Sequence, residues 1–450
     1  MDATADPDRR PSTAPATPDR ERPTGRAEDD RAPPSSGRRG PRAVLALGVA
    51  LGAVYLARAA LVRPGAFGLD FRVYYHAAAA ALAAAPIYGV AHGPHPTFTY
   101  LYPPATLLGF APLLALPELA AYLVHVVGQL ALAAGAARLI VRYLDGAGAA
   151  LARIDRALIY AYALASVHAV PSLVYGQVNL AVTAGLVAGF AALETGRERA
   201  AGVAFGLAAF LKLFPALVGL WLLRRRAWGA IGAAVATGAV GFAVGLAAFG
   251  PGATEAYAVE AVLGRATRSA FAGGLPPGAS YLTLLRPASV LLPSLGPAAW
   301  TALAAAALAP VVAAAYRATA TRRDRLVGAY VTLAGTLLVL PSYPIYAVVL
   351  LFPQVPLLYL LDGRPGRFFL AGTALLGATV RLDDVRRHLL PAFPDAVAGP
   401  AAAVLEPLLT LASPQLIGIL ATLVGCLTYA TGRGRDGPPE PERGGAARNA

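Results

Sequence analysis

Long apolar runs, separated by short arginine-bearing turns, occupy most of the chain between residues 43 and 431. They fall at about 43–62, 104–117, 119–141, 157–174, 178–195, 200–223, 228–249, 297–316, 326–342, 345–361, 368–380 and 414–430. A helix needs about 20 residues to cross a bilayer. The pattern therefore predicts an all-α polytopic membrane protein with roughly ten to twelve transmembrane helices, the shorter runs being half-spans. Pro112, Pro171, Pro215, Pro310, Pro353 and Pro356 lie inside these runs and predict kinked or broken helices. In lipid such breaks survive only within a bundle or beside a cavity.

The flanks have a different pattern. Residues 1–42 are rich in Pro, Arg, Asp and Ser, with almost no large apolar side chains. Such a segment buries too little surface to offset chain entropy and is expected to be disordered. Its apolar stretch begins too late for a signal peptide. Residues 432–450 read as a second disordered end, leaving 43–431 as one transmembrane unit. Arginine groups at 38–42, 197–199, 224–226, 317–325, 364–367 and 433–435 mark cytoplasmic edges, so both termini are expected inside and the loop after the first span outside. Run 200–223 carries arginine at both ends. A re-entrant hairpin broken near Lys212–Pro215 keeps both ends inside and is preferred to a crossing. Two outer loops, about 63–103 and 250–296, are long enough to work on a large substrate, and the first is expected to carry short interfacial helices.

Composition sharpens this picture. The chain is 57% hydrophobic and only 14% charged, against about 25% charged in a soluble domain. A net charge of +13 raises nucleic acid as a partner, but the arginines are scattered between apolar runs rather than gathered on one basic face. One cysteine, Cys426, excludes a disulfide scaffold. No Walker-type phosphate loop and no His-Glu-x-x-His occurs. The six histidines (His76, His92, His95, His125, His168 and His388) show no metal-ligand spacing, and no carboxylate pairs with Asp70 in sequence, so neither a metal nor another cofactor is expected.

Few ionisable groups remain on the membrane body. Asp70 sits just past the first span; it either caps a helix beginning at Tyr74 or acts as a general base at the water–lipid interface. Tyr74, Tyr75 and Tyr102 surround it in sequence and are otherwise interfacial tyrosines. Gln177 and Asn179 end one span and begin the next, as caps or as sugar-binding amides. Lys212 is the only lysine in the chain. It lies between two phenylalanines and two leucines, where it either snorkels to the interface or binds phosphate. Tyr343 and Tyr346 flank Pro344 in a turn between spans. Arg265, Arg268 and Arg286 in the second loop either hold an anionic headgroup or are ordinary loop charges.

The segments Asp70-Phe71-Arg72-Val73-Tyr74-Tyr75, Phe98-Thr99-Tyr100-Leu101-Tyr102-Pro103-Pro104, Tyr175-Gly176-Gln177-Val178-Asn179 and Lys212-Leu213-Phe214-Pro215 together resemble the GT-C class of integral-membrane glycosyltransferases. The likeness is to glycosyltransferase family 87, which contains polyprenyl-phosphate-mannose-dependent α-mannosyltransferases, and it covers about residues 43–362. It implies a GT-C-like bundle in the cell membrane with its site facing outward. It implies an inverting hexose transfer, mannose by analogy, from a polyprenyl-phosphate donor to a glycolipid or glycan acceptor. Asp70 maps onto the family's base, and Lys212 and Arg72 are expected near the donor phosphate. Tyr74, Tyr75, Tyr102, Gln177, Asn179, Tyr343 and Tyr346 are expected at the substrates. Two departures bear on donor and acceptor: Ser342-Tyr343-Pro344-Ile345-Tyr346 lacks a histidine, and Gly278-Ala279-Ser280-Tyr281 stands where relatives carry Asn-x-Ser. A lipid or solute transporter, or a GT-C transferase for another sugar, is the competing reading.

Overall fold

The structure is a computed structural model that describes residues 38–93, 96, 98–264 and 281–432. The expectations for residues 1–37 and 433–450, for His95, Arg265 and Arg268, and for Gly278–Ser280 lie outside the described residues; residues 39–42, expected within the disordered end, instead form the first turn of the first long helix. Among the described residues there is no strand, only one isolated bridge between Ala91 and Thr99.

The principal helices are α1 (Arg39–Val62), α2 (Leu69–Leu82), α3 (Glu118–Gly146), α4 (Arg153–Ala165), α5 (Val170–Tyr175), α6 (Asn179–Glu194), α7 (Glu198–Leu211) and α8 (Val218–Arg224). They continue with α9 (Trp228–Ala256), α10 (Leu285–Leu291), α11 (Pro297–Tyr316), α12 (Arg322–Val339), α13 (Leu351–Leu360), α14 (Gly363–Leu376), α15 (Asp395–Leu411) and α16 (Pro414–Gly432). Six helical segments among the described residues are long and apolar enough to cross a membrane: α1, α3, α4 with α5, α9 with its continuation to Leu263, α11 and α16. The other expected runs are shorter or broken. Run 104–117 is not a crossing helix. It forms two 3-10 turns, Pro104–Gly109 and Ala111–Ala115, because Pro104 and Pro112 each remove a backbone donor and fix φ. Helix α2 begins at Leu69, five residues before the start expected at Tyr74. Gly68, at φ +71°, turns the chain, and Asp70 in the first turn favours the positive end of the helix dipole.

Small residues set the packing. Hydrophobicity does not drive helices together in lipid, so close backbone approach must hold them. An added Cβ at Gly52 would lie 2.0 Å from the Ala165 carbonyl, and one at Gly372 would lie 2.6 Å from the Gly418 carbonyl. Helices α12 and α13 form the centre. All ten residues of α13 are buried, despite Pro353 and Pro356.

Ion pairs gather at one end of the bundle. Asp155, fully buried, accepts both Arg42 Nε (2.8 Å) and Nη2 (2.9 Å), while Arg38 donates to the Ala150 carbonyl. Glu194 accepts Arg325 at 2.7–2.8 Å and Arg225 at 3.3 Å. Arg322 donates to the Gly146 carbonyl, and Tyr429 donates to Asp324 at 3.1 Å. Breaking such buried pairs one-sidedly is costly, because it strands a charge. Arg58 lies 3.5 Å from Asp384 near the opposite end.

The 198–224 segment resolves as a hairpin. Gly189 faces Phe205 and Gly185 faces Ala208, so α6 and α7 are antiparallel. Gly202 faces Ala230, Gly206 faces Ala234, and Phe210 faces Gly241, so α7 and α9 run parallel. Between them the chain must return. It does so after Lys212, which is extended (φ −143°, ψ 130°), through the 3-10 turn Phe214–Leu217 and α8. Arg225 then reaches Glu194, and the Gly229 N–H donates to Glu198 at 2.9 Å, so both ends of the segment lie at the ion-paired end.

Gly202→Leu tests this packing. Its Cβ would stand 2.1 Å from the Ala230 carbonyl. The variant is expected to lose about 1–3 kcal/mol, seen as a lower unfolding temperature in detergent. The same change at Gly232, whose Cβ would meet nothing within 4 Å, should be close to neutral.

Candidate active site

The end of the bundle opposite the ion pairs holds a polar cluster drawn from three distant stretches of chain. Its first part is α2. The Gly68 N–H donates to the Val174 carbonyl at 2.8 Å, and the Tyr122 hydroxyl donates to Leu173 at 2.8 Å. On its other side, Arg72 Nε donates to Glu118 at 2.8 Å, His76 lies 3.1 Å from the same carboxylate, and the Tyr75 hydroxyl donates to the Leu116 carbonyl at 2.9 Å. Asp70 and Tyr74, four residues apart, share a face of this clamped helix.

The second part is the turn between α5 and α6. Gly176, at φ +71°, ends α5 in the left-handed conformation that only glycine adopts without strain. It also admits close contact: a Cβ there would lie 2.6 Å from Phe71 Cβ. The turn therefore sits against α2, and Gln177 reaches the carboxylate. Its Nε2 donates to Asp70 Oδ2 at 2.6 Å. Asn179 Nδ2 donates to Gln177 Oε1 at 2.8 Å and to Ser172 Oγ at 3.1 Å. Gln129, buried in α3, accepts the Ala181 N–H at 3.0 Å and so satisfies a first-turn donor of α6.

The third part is the break in the hairpin. Lys212 Nζ donates to Gln177 Oε1 at 3.2 Å and stands 4.4 Å above the Tyr346 ring. Tyr346 packs on Phe214 at 5.7 Å, and Tyr343, with a 6.1 Å ring separation from Tyr346, stacks on Tyr281 at 5.0 Å. The Tyr74 and Tyr102 hydroxyls lie 3.0 Å apart beside Asp70.

Burial pushes the Asp70 carboxyl above the usual carboxylate range, while the Gln177 hydrogen bond and the Lys212 charge pull it back down. Burial, with Tyr102 and Asp70 nearby, pushes the Tyr74 phenol well up, so it stays neutral and able to donate. Asp70, Gln177, Lys212 and Tyr346 are each half-buried, and Tyr343 is exposed. The arrangement can take a proton at a carboxylate and hold an anion at a nearby ammonium.

The structure brings together Asp70, Gln177, Lys212, Tyr74, Tyr102 and Tyr346 from the expected residues, with Tyr343 at the margin. Three others are placed differently. Arg72 is engaged by Glu118, Tyr75 by Leu116, and Asn179 is fully buried, so its contacts are to protein. Arg286 is buried and donates to the Thr410 and Leu409 carbonyls at 2.9 Å, where it holds the end of α15. His92 lies 2.8 Å from the Ile87 carbonyl. Ser172 and Gln129 are not singled out by the sequence, although Ser172 lies only seven residues before Asn179; Phe214 and Tyr281 stand within the quoted motifs without a site role of their own. Among the described residues, no three His, Cys, Asp or Glu are grouped to hold a metal ion.

Gly176→Ala should displace α2 from the turn. The left-handed residue adds about 1–2 kcal/mol of strain to the overlap with Phe71. The expected outcome is a lower unfolding temperature together with a loss of activity. Gly148→Ala provides the comparison: it has a similar φ of +74° but open space, and should cost stability alone.

Comparison with curated proteins and with solved structures returns no match. A family model does match: glycosyltransferase family 87, over residues 100–341. The match is narrower than the likeness read from sequence; it includes Gln177, Asn179 and Lys212, ends just before Tyr343, and starts after Asp70. It takes in more than half of the chain, and the chain belongs to glycosyltransferase family 87.

Proposed function

We propose that this multi-pass membrane glycosyltransferase moves a hexose, mannose by family analogy, from a polyprenyl-phosphate carrier to a hydroxyl of a glycolipid or glycan on the outer face. The observation that carries this reading is the Gln177 amide, which joins a half-buried carboxylate to the only lysine of the chain. In the proposed step the acceptor oxygen attacks the anomeric carbon as Asp70 takes the hydroxyl proton. The bond from the anomeric carbon to the phosphate oxygen breaks, and its electron pair leaves with the phosphate. The lipid phosphate is already a stable anion, so no partner acid is needed, unlike the two-carboxylate hydrolases. One displacement inverts the anomeric centre. Lys212 faces the departing phosphate and stabilises its charge. Asp70 Oδ1 is the oxygen that receives the proton, because Oδ2 already accepts Gln177. The half-buried Tyr102 hydroxyl, backed at 3.0 Å by that of the buried Tyr74, lies where a sugar hydroxyl would meet the site. The excess of arginine at the opposite end supports a cytoplasmic placement for that end and for both termini.

A transporter is disfavoured by the family and by the ion pairs, which close on each other at one end rather than lining a path.

Asp70→Asn should keep the fold and lower transfer by roughly a hundred- to ten-thousand-fold, measured with purified protein and a polyprenyl-phosphate-sugar. Undiminished turnover would refute the base assignment. The base must be deprotonated, and burial raises its pKa, so activity should fall on acidification from a higher pH than an ordinary carboxylate would give. Lys212→Met removes a charge that favours the carboxylate. The acid limb of its pH–rate profile should move to still higher pH, and KM for the lipid donor should rise.

A further inference from the structure

Asp70 and Lys212 do not meet directly. Both charges meet the Gln177 side chain, one at each end of its amide. The chemistry of the neighbours fixes which end is which. A carboxylate only accepts and an ammonium only donates, so the amide NH2 must face Asp70 and the amide oxygen must face Lys212. Behind the amide, Asn179 donates to the same oxygen, and Ser172 holds Asn179; both are fully buried. Gln177 Oε1 thus accepts two donors and has no lone pair left for a sugar hydroxyl.

We propose that Gln177 is a positioning residue that acts as a neutral spacer: held by Asn179 and Ser172, it keeps the Lys212 ammonium off the Asp70 carboxylate. The carboxylate then stays basic for the acceptor proton, and the ammonium stays available to the phosphate. This rests on Asp70 being the base and Lys212 the phosphate group, and it assigns Gln177 and Asn179 a role other than substrate binding. Without a spacer, a flexible lysine and a half-buried carboxylate close into an ion pair, since attraction between full charges at such a site outweighs one hydrogen bond to a neutral amide. An ion pair would quench both groups together.

The groups that bear on the Asp70 carboxyl are few. Tyr74 lies on its own helix with Tyr102 and Tyr346 beside it, Gln177 and Lys212 come from the facing elements, and His125 of α3 lies against Phe71 and the Gly176–Gln177 turn. Arg72, His76 and Glu118 are bound to one another on another side of α2.

The test reads the carboxyl itself, without either substrate. Dicyclohexylcarbodiimide reacts with a protonated carboxyl, so the pH dependence of its addition to the Asp70 peptide, followed by mass spectrometry on the full-length protein in detergent, gives a titration midpoint. Gln177→Ala removes the spacer, and the midpoint should fall by about one pH unit, a tenfold change in proton affinity. Asn179→Ala should shift it in the same direction by less. Gln177→Met keeps the volume without the hydrogen bond, and its midpoint should rise. In Gln177→Ala with Lys212→Met there is no cation to close the gap, so the midpoint should rise as well. Size-exclusion profiles matching the parent confirm that each variant is folded. A midpoint that rises or stays fixed in Gln177→Ala overturns the spacer and makes Gln177 an ordinary hydrogen-bond donor. That outcome is separate from failure of the base assignment, which would appear as retained transfer by Asp70→Asn.

Discussion

A helix in lipid can stop only where something else accepts its freed backbone groups and any charge it exposes. The break at Lys212 is such a place, and the site depends on it. The extended lysine ends α7, and the following proline prevents the helix from resuming its register. The ammonium that this exposes is received by an amide oxygen and a tyrosine ring rather than by hydrocarbon. Had α7 continued, Lys212 would face a neighbouring helix or lipid, and the positive charge it holds near Asp70 would be lost. The polar turn at Gly176 and the broken helix at Lys212 therefore support each other, because each presents groups that the other needs.

The bundle treats charge in two ways. At one end carboxylates and guanidiniums close on one another, as Asp155 with Arg42 and Glu194 with Arg325 do. That end is fastened. At the other, Arg72 closes on Glu118 at the side of α2, while Asp70 and Lys212 are held near each other without closing.

Much of the fold was legible from the apolar runs, because a lipid-facing helix must be apolar along its length. The hairpin, too, followed from arginines at both ends of one run. What misled were positions where proline overrides hydrophobicity: run 104–117 reads as a half-span and is two tight turns. Helix α15 escaped notice because Pro400 and Pro407 interrupt its pattern. Within the site, Asp70 and Lys212 stood out as ionisable groups in apolar surroundings. Their meeting did not, because Asp70 and Gln177 are 107 positions apart and Gln177 and Lys212 are 35 apart. Arg72 misled for a local reason. It is two residues from Asp70, which on a helix turns it to a different face and gives it to Glu118.

The hairpin also decides how the rest of the chain must be counted. Among the described residues, segments α1, α3, α4 with α5, α6, α9, α11, α12, the 344–360 stretch, α14 and α16 make ten traverses of the bundle, and 198–224 adds none. A reading that took it as an eleventh would invert every loop after it. Tyr343 and Tyr346 would then fall on the opposite side of the membrane from Asp70, and the half of the site that follows residue 224 would vanish from view. Reporter fusions after α9 therefore separate the two counts, and a tag at the hairpin's tip should report the same side as Asp70.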